Sequence, residues 1–213
     1  MKTIIFIDGE NMMHQVRDVL YRRRLIRNRD ELVDYDIRAL LATALAELED
    51  VDIQRVRIRY YSTKVHISDQ SDSLRERTEA IREWGEKQRE QLEKQRIDFV
   101  EAGHLLVREG KRCVECGHRE PVLMEKGLDV QLAVDLIRTS GENVRLVLLS
   151  SDGDLTPAVV EARQRGSEMV YVGFRGVSNA TLGHAAGQRF TINAKQVVAA
   201  YQKGLKQREN ENE

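Results

Sequence analysis

The sequence predicts an α/β sandwich in which a central, mostly parallel sheet lies between two layers of helices. Three observations carry that reading. Short β-rich apolar runs alternate with longer stretches of helical spacing along the chain. The runs Ile4 to Ile7 and Val144 to Ser150 are continuous and apolar, as strands covered on both faces are. At 213 residues the chain fits one such domain carrying an insertion, joined by right-handed crossovers.

Taken in order, Ile4 to Ile7 is the first strand, and Asp8-Gly9-Glu10-Asn11 turns it into a helix. From Ile37, apolar residues Leu40, Leu41, Ala44, Leu45 and Leu48 recur at helical spacing, with Asp34 or Asp36 as N-cap. Val56, Ile58 and Tyr60 alternate with Arg55, Arg57 and Arg59, which predicts a strand with a polar side, at an exposed face or sheet edge. Residues 72–96 are highly charged and free of proline, with Glu83/Lys87 and Glu90/Lys94 spaced to pair. Their apolar stripe of Leu74, Ile81, Trp84 and Leu92 is thin, so a solvated helix projecting from the domain or packed lightly on it is expected. Ile97 to Val100 and Leu105 to Val107 read as strands, the latter pairing with Val122 to Met124 as a hairpin. After Gly127, Val130, Ala133, Val134 and Ile137 mark a helix face. Val144 to Ser150 and Met169 to Val172 are strands flanking a helix that Pro157 opens and Gly166 ends. Asn193 to Tyr201 is the last helix. The expected organisation is one domain over residues 1–202, with the charged helix 72–96 and the hairpin 105–124 as insertions, and a polar, frayed tail at 203–213.

Composition narrows the function. A net charge of −1 does not mark a generally polyanion-binding chain, so local basic patches must be found instead: Arg22-Arg23-Arg24, and Arg55, Arg57 and Arg59. Aromatics make up 5% of the chain, too few for a dedicated base-stacking platform, although Tyr60 and Tyr61 are available. The first residues hold too short an apolar stretch for a signal peptide, and no run approaches the roughly 18 apolar residues of a membrane span. A cytoplasmic protein without a membrane partner is expected. No glycine-rich turn opens the first helix, which excludes a dinucleotide fingerprint.

Acidic residues carry the chemistry. Asp8 closes the first strand, Asp152 and Asp154 directly follow Val144 to Ser150, and Asp129 opens the helix after Gly127. Any single one is explained as a helix cap worth about 1 kcal/mol. Four at three strand or helix ends imply a shared purpose, because converging carboxylates repel one another unless a hard cation neutralises them. Asp135 lies six residues after Asp129, roughly 120° around one helix, so the two cannot share a face. Asp135 is therefore expected in an ion pair on the helix face, or as a residue that supports the site's acids from behind.

Three blocks, Asp8-Gly9-Glu10-Asn11, Lys126-Gly127-Leu128-Asp129-Val130-Gln131-Leu132-Ala133-Val134-Asp135 and Ser150-Ser151-Asp152-Gly153-Asp154-Leu155-Thr156-Pro157, resemble the signature blocks of NYN domains. These belong to the PIN-like nuclease superfamily, and the LabA-like branch is the nearest in pattern. The resemblance implies a Rossmann-like PIN/NYN three-layer sandwich and magnesium- or manganese-dependent cleavage of single-stranded or looped RNA. It implies that Asp8, Asp129 and Asp152 hold the metal with Asp154 supporting, that Asn11 orients Asp8 or a water, and that Lys126 meets the phosphate. The chain departs from the family pattern at Ser151, where relatives usually have glycine, and at Gln188, where many have an acid before the aromatic of the last strand. An RNA-binding or regulatory protein with weak or no catalysis is the alternative reading, and a small-molecule phosphohydrolase a third.

Cys113 and Cys116, with His118 beside them, make half a zinc knuckle at the hairpin tip. A structural zinc takes four ligands, so His104 or a second chain in a homodimer would have to complete the set; free thiols in a turn made by Gly117 are the simpler reading.

Overall fold

The computed structural model describes residues 1–211 except Glu49 and His118. In chain order the elements are β1 (Lys2–Asp8), α1 (Gly9–Arg22), α2 (Ile37–Ala44), β2 (Arg57–Thr63), α3 (Asp72–Lys94), β3 (Asp98–Ala102), β4 (His104–Arg112), β5 (Arg119–Lys126), α4 (Leu128–Thr139), β6 (Val144–Leu149), α5 (Thr156–Gln164), β7 (Glu168–Phe174), α6 (Ala180–Ala186), β8 (Gly187–Ile192) and α7 (Ala194–Glu211). Six strands form one parallel sheet in the order β3-β2-β1-β6-β7-β8, and β4 and β5 form a separate antiparallel hairpin.

β1 sits at the centre because Ile4, Ile5, Phe6 and Ile7 are all apolar and neither of its faces needs water. Its alternate residues feed two cores. Ile5 and Ile7 pack with Met12, Val16, Leu40 and Leu41 beneath α1, α2 and α7, while Ile4 and Phe6 pack with Leu132, Leu136, Val159 and Leu182 beneath α4, α5 and α6. From β1 the chain steps outward through β2 and β3, then crosses back to β6 and steps outward the other way through β7 and β8. Crossovers of one hand then put the two sets of helices on opposite faces. The reversal falls between β1 and β6, and in an open α/β sheet ligands bind in the crevice outside the carboxyl ends of the strands at that point.

Local signals fix the helix ends. Asp8 and Asp36 cap α1 and α2 through the Asn11 and Ala39 N–H groups. Pro157 lies in the first turn of α5, and Gly166, at φ +92°, ends it in a left-handed turn that a side chain would strain. Asn179 caps α6 through Leu182 N–H.

Several expectations need correction. β2 is interior rather than an edge, and its arginines are polar because they have partners: Arg57 pairs with Asp98 on β3 at 2.7 Å and Arg59 with Asp135 on α4 at 2.9 Å. Of the two placements expected for α3, the structure shows the second: it lies on the domain along a thin stripe, with most of its residues exposed, and does not project. Its stripe is completed by two polar residues, Thr78 and Gln88, which are buried alongside Leu74, Trp84 and Leu92; Thr78 Oγ bonds to Leu74 O and accepts from Ser68 N–H, and Gln88 donates to Tyr60 Oη. The surface pairs on α3 include Arg75–Glu79, Arg82–Glu86 and Arg89–Glu93.

On α4 the buried face is Leu128, Leu132, Asp135 and Leu136, whereas Val130 is 68% and Val134 41% exposed. Seating Asp135 against Arg59 and Tyr61 Oη turns the helix toward that side. α6 had no expectation attached to it. Residues 203–211 are not a frayed tail but continue α7, where Lys203 and Gln207 meet Asp36 at 3.2 and 3.3 Å and Arg208 meets Asp34 at 3.0 Å.

Gly9 lies tight against the sheet at the start of α1. A Cβ there would overlap the Tyr60 ring and the Tyr61 carbonyl oxygen, so helix and strands meet at this depth only because the residue has no side chain. Gly9→Ala should therefore lower folding stability by about 3 kcal/mol, read as an earlier urea midpoint; an unchanged midpoint would contradict the packing at this junction.

Candidate metal centre

Pairing of β1 with β6 runs from Lys2 with Val144 to Ile7 with Leu149, so Asp8 and Ser150 emerge side by side at the carboxyl end of the sheet. Ser150 Oγ donates to one oxygen of Asp8 at 2.9 Å, and Asn11 N–H donates to the other at 3.1 Å. Ser150 Oγ also accepts from Asp152 N–H at 3.1 Å. Asn11 bridges the same gap one turn along. Its Oδ1 accepts from Ser151 N–H at 3.2 Å and from Ser151 Oγ at 2.7 Å. Ser151 thus ties the loop after β6 to α1 through its side chain as well as its backbone.

Asp154 lies in a short 3₁₀ turn, Gly153–Leu155, which Asp152 caps by accepting Asp154 N–H on its Oδ1 at 2.9 Å. Asp154 is exposed at the rim. Asp129 comes from a different direction. Gly127, at φ +92°, turns the chain out of the hairpin into α4, and Asp129 lies half-buried in that helix's first turn, where the N-terminal dipole favours a carboxylate. The Glu125 side chain accepts Leu128 N–H at 2.9 Å and stands in for the cap that Gly127 lacks.

Charge connects these residues. Asp8 is 6% exposed, and burial pushes its carboxyl up to about 6; its two hydrogen bonds oppose the rise, and Asp152 and Glu10 add to it. Burial also pushes Asp129 up to about 6, followed by the charges of Asp8, Asp152, Glu125 and Asp154. Carboxylates from β1, the start of α4 and the loop after β6 therefore lie within electrostatic reach of one another.

Oxygen donors and concentrated negative charge suit a hard divalent cation. Among the described residues, however, no three His, Cys, Asp or Glu side chains already surround a common point. Asp8 and Asp152 instead spend oxygens on Asn11, Ser150 and Asp154.

Other sequence-derived candidates lie elsewhere. Lys126 is exposed at the end of β5, three residues before Asp129. Arg22 ends α1, with Arg23 and Arg24 directly after it, while Asp8 caps the opposite end; fourteen helical residues span about 21 Å. Asp135 pairs with Arg59 and accepts from Tyr61 Oη. Gln188 pairs with Val170 and so lies level with Ile5, three strands or about 14 Å across the sheet from β1.

Cys113 and Cys116 are exposed free thiols, with Gly117 N–H donating to Cys113 O at 3.0 Å; Cys116 and Glu115 N–H groups, then the Cys116 side chain, draw the Cys113 thiol down. His118 lies outside the described residues. His104 pairs with Lys126 at the hairpin base, whereas the cysteines are beyond the far end of β4, so His104 cannot complete a zinc site at the tip.

Residues that sequence reasoning missed are the ones that hold the acids. Glu125 and Asn179 carry no periodicity or motif signal of their own, and Ser150 opens the third signature block with no role attached to it. Asn179 Nδ2 reaches Ser151 O at 3.4 Å while its Oδ1 caps α6, which joins a third loop to the site.

The family model of the NYN domain matches residues 2–193. No curated protein matches the chain. Among solved structures, a protein of unknown function from Vibrio parahaemolyticus is similar, with a TM-score of 0.50 at 19% identity, over 90% of this chain and 92% of that one.

Raised carboxyl pKa values set a direction for stability. With Asp8 and Asp129 pushed from 3.8 to about 6, the folded state binds protons more tightly than the unfolded one. The penalty for charged burial is full above pH 6 and fades as pH falls toward 4. In a chelator at pH 8, Asp8→Asn should stabilise the fold by about 2 kcal/mol, seen as a higher melting temperature, and the gain should shrink between pH 6 and 4; a lower melting temperature at pH 8 would refute it.

Proposed function

The chain belongs to the NYN domain family of the PIN-like nuclease superfamily, and on that premise we propose that it is a magnesium- or manganese-dependent ribonuclease acting in the crevice between β1 and β6. The observation that carries this reading is the locking of two neighbouring strand ends, Asp8 to Ser150 and Asn11 to Ser151, at the reversal point of the sheet. That lock holds Asp8 beside the loop that carries Asp152, and the charges of both reach Asp129 on α4.

Asp8, Asp129 and Asp152 would hold the cation, with Asp154 at the rim. When bound, the ion supplies positive charge to a phosphodiester and lowers the cost of taking a proton from water. Asn11 and Ser150 keep the Asp8 carboxylate in one orientation, which spares that reorganisation during reaction. Lys126, exposed three residues before Asp129, would reach the strand's phosphate. Because Asp8 and Asp129 must be ionised, protons compete with the cation below about pH 6.

A second reading has its own support: a protein that binds RNA without cutting it. The acids already serve hydrogen bonds within the chain, and no three of them surround one point among the described residues.

One set of variants separates the readings. Wild type should cleave single-stranded RNA with manganese, and cleavage should fade below pH 6. Asp8→Asn and Asp152→Asn should each slow it by about a hundredfold or more without lowering the melting temperature. Asp135→Asn should keep cleavage yet cost about 3 kcal/mol of stability, because it leaves Arg59 without its carboxylate. Salt-sensitive RNA binding with no turnover in any metal would select the non-cutting protein.

A further inference from the structure

A cleft of about 450 Å³ opens beside the acidic cluster. It is bounded by the carboxyl ends of β2 and β3, by α3 on one side and by the β4–β5 hairpin on the other. Two acids in its lining connect it to the site: Glu10, two residues beyond Asp8, and Glu125, whose charge acts on Asp129. We propose that this cleft seats one unpaired nucleobase of the RNA strand whose backbone lies at Asp8, Asp129 and Asp152, an inference that rests on the ribonuclease reading.

The lining matches a base rather than a peptide or a small acid. Ile81, Phe99, Leu105 and Leu123 supply apolar wall. Arg29 also lines the cleft, with its guanidinium 3.6 Å from the Trp84 ring centroid and 3.3 Å from Glu10. Trp84 N–H in turn donates to Arg29 O at 3.4 Å. A planar guanidinium seated this close to an aromatic ring offers a stacking surface for a base, and stacking accepts any base because each has a π-face. Glu101 and Glu125 supply acceptors for exocyclic amino groups. Lys64, Arg82 and Arg89 bring positive charge, and the exposed pairs of Arg82 with Glu86 and Arg89 with Glu93 cost little to exchange for a phosphate. The volume falls within the range of about 300–1,000 Å³ typical of small-ligand sites.

Gly85 borders the same space. Glycine inside a helix is unfavourable, yet Gly85 lies within α3, lines the cleft, and would meet nothing within 4 Å if it carried a Cβ. Packing does not demand glycine there, and a side chain at this position would extend into the open space of the cleft. A base held in a duplex cannot enter, so the cleft also selects single-stranded or looped RNA.

The test is binding of a short fluorescein-labelled single-stranded RNA, with an abasic position walked along it, read by anisotropy. In wild type one abasic position should weaken binding about tenfold, as the loss of one stacked base does. Gly85→Trp, which fills the cleft, should bind the intact RNA about tenfold more weakly than wild type and be indifferent to that abasic position, with an unchanged melting temperature. Arg29→Lys keeps the charge and removes the flat surface; it should reproduce the loss, and it decides the matter if Gly85→Trp fails to fold. Unchanged affinity in a folded Gly85→Trp or in Arg29→Lys, or no position-specific abasic effect in wild type, would overturn the base site. Cleavage by Asp8→Asn at the wild-type rate would instead sink the nuclease reading and leave these binding results standing.

Discussion

Parallel pairing of β1 with β6 is the constraint on which the rest of the molecule depends. It joins two strands far apart in sequence at the point where the sheet reverses its direction of growth. Its register brings Asp8 level with Ser150, so the hydrogen bonds from Ser150 to Asp8 and from Ser151 to Asn11 follow from the sheet. A slip of one residue would turn Ile5 and Ile7 into the other core and separate these partners. Both the division of the interior into two cores and the place of the crevice come from this one ladder.

The acids at that crevice weaken the fold that holds them. Asp8 is nearly enclosed and faces the charges of Asp152 and Glu10, so its ionisation is resisted. Two hydrogen bonds offset part of that cost, and Asp152 is engaged in the same way by Asp154 N–H. Such unrelieved repulsion is what a site gains from when a cation arrives, because the cation then removes a penalty already present in the folded chain. Asp135 shows the contrast. It is also a buried carboxylate, but Arg59 and Tyr61 satisfy it, and it reads as structure.

α3 and the hairpin give the crevice a second side. Neither belongs to the six-stranded sheet, yet α3 is anchored through Trp84, Gln88 and Leu92, and β4 leaves β3 through Gly103 at φ +64°. Together they convert an open row of strand ends into a cleft that continues from the acids. Polar residues made this hard to foresee: Thr78 and Gln88 count as surface in any hydrophobic pattern but are buried because Ser68 and Tyr60 pair with them.

What the sequence determined by itself was order and chemistry. Continuous apolar runs required strands buried on both faces, Asp36, Pro157 and Gly166 marked helix ends, and Asp8, Asp129 and Asp152 stood out because each sits at the end of such an element. Helical geometry alone was enough to separate Asp135 from Asp129. Only the tertiary structure decided which positions face one another. It made β2 interior, turned α4 so that Leu128, Leu132 and Leu136 rather than Val130 and Val134 meet the sheet, carried α7 onto Asp34 and Asp36, and put Gln188 three strands from the centre. It also recruited Ser150, Glu125 and Asn179. The reason is physical: periodicity records what one element buries, whereas a partner such as Ser150 acquires its role from a residue 142 positions away, through a contact that exists only once two strands have paired.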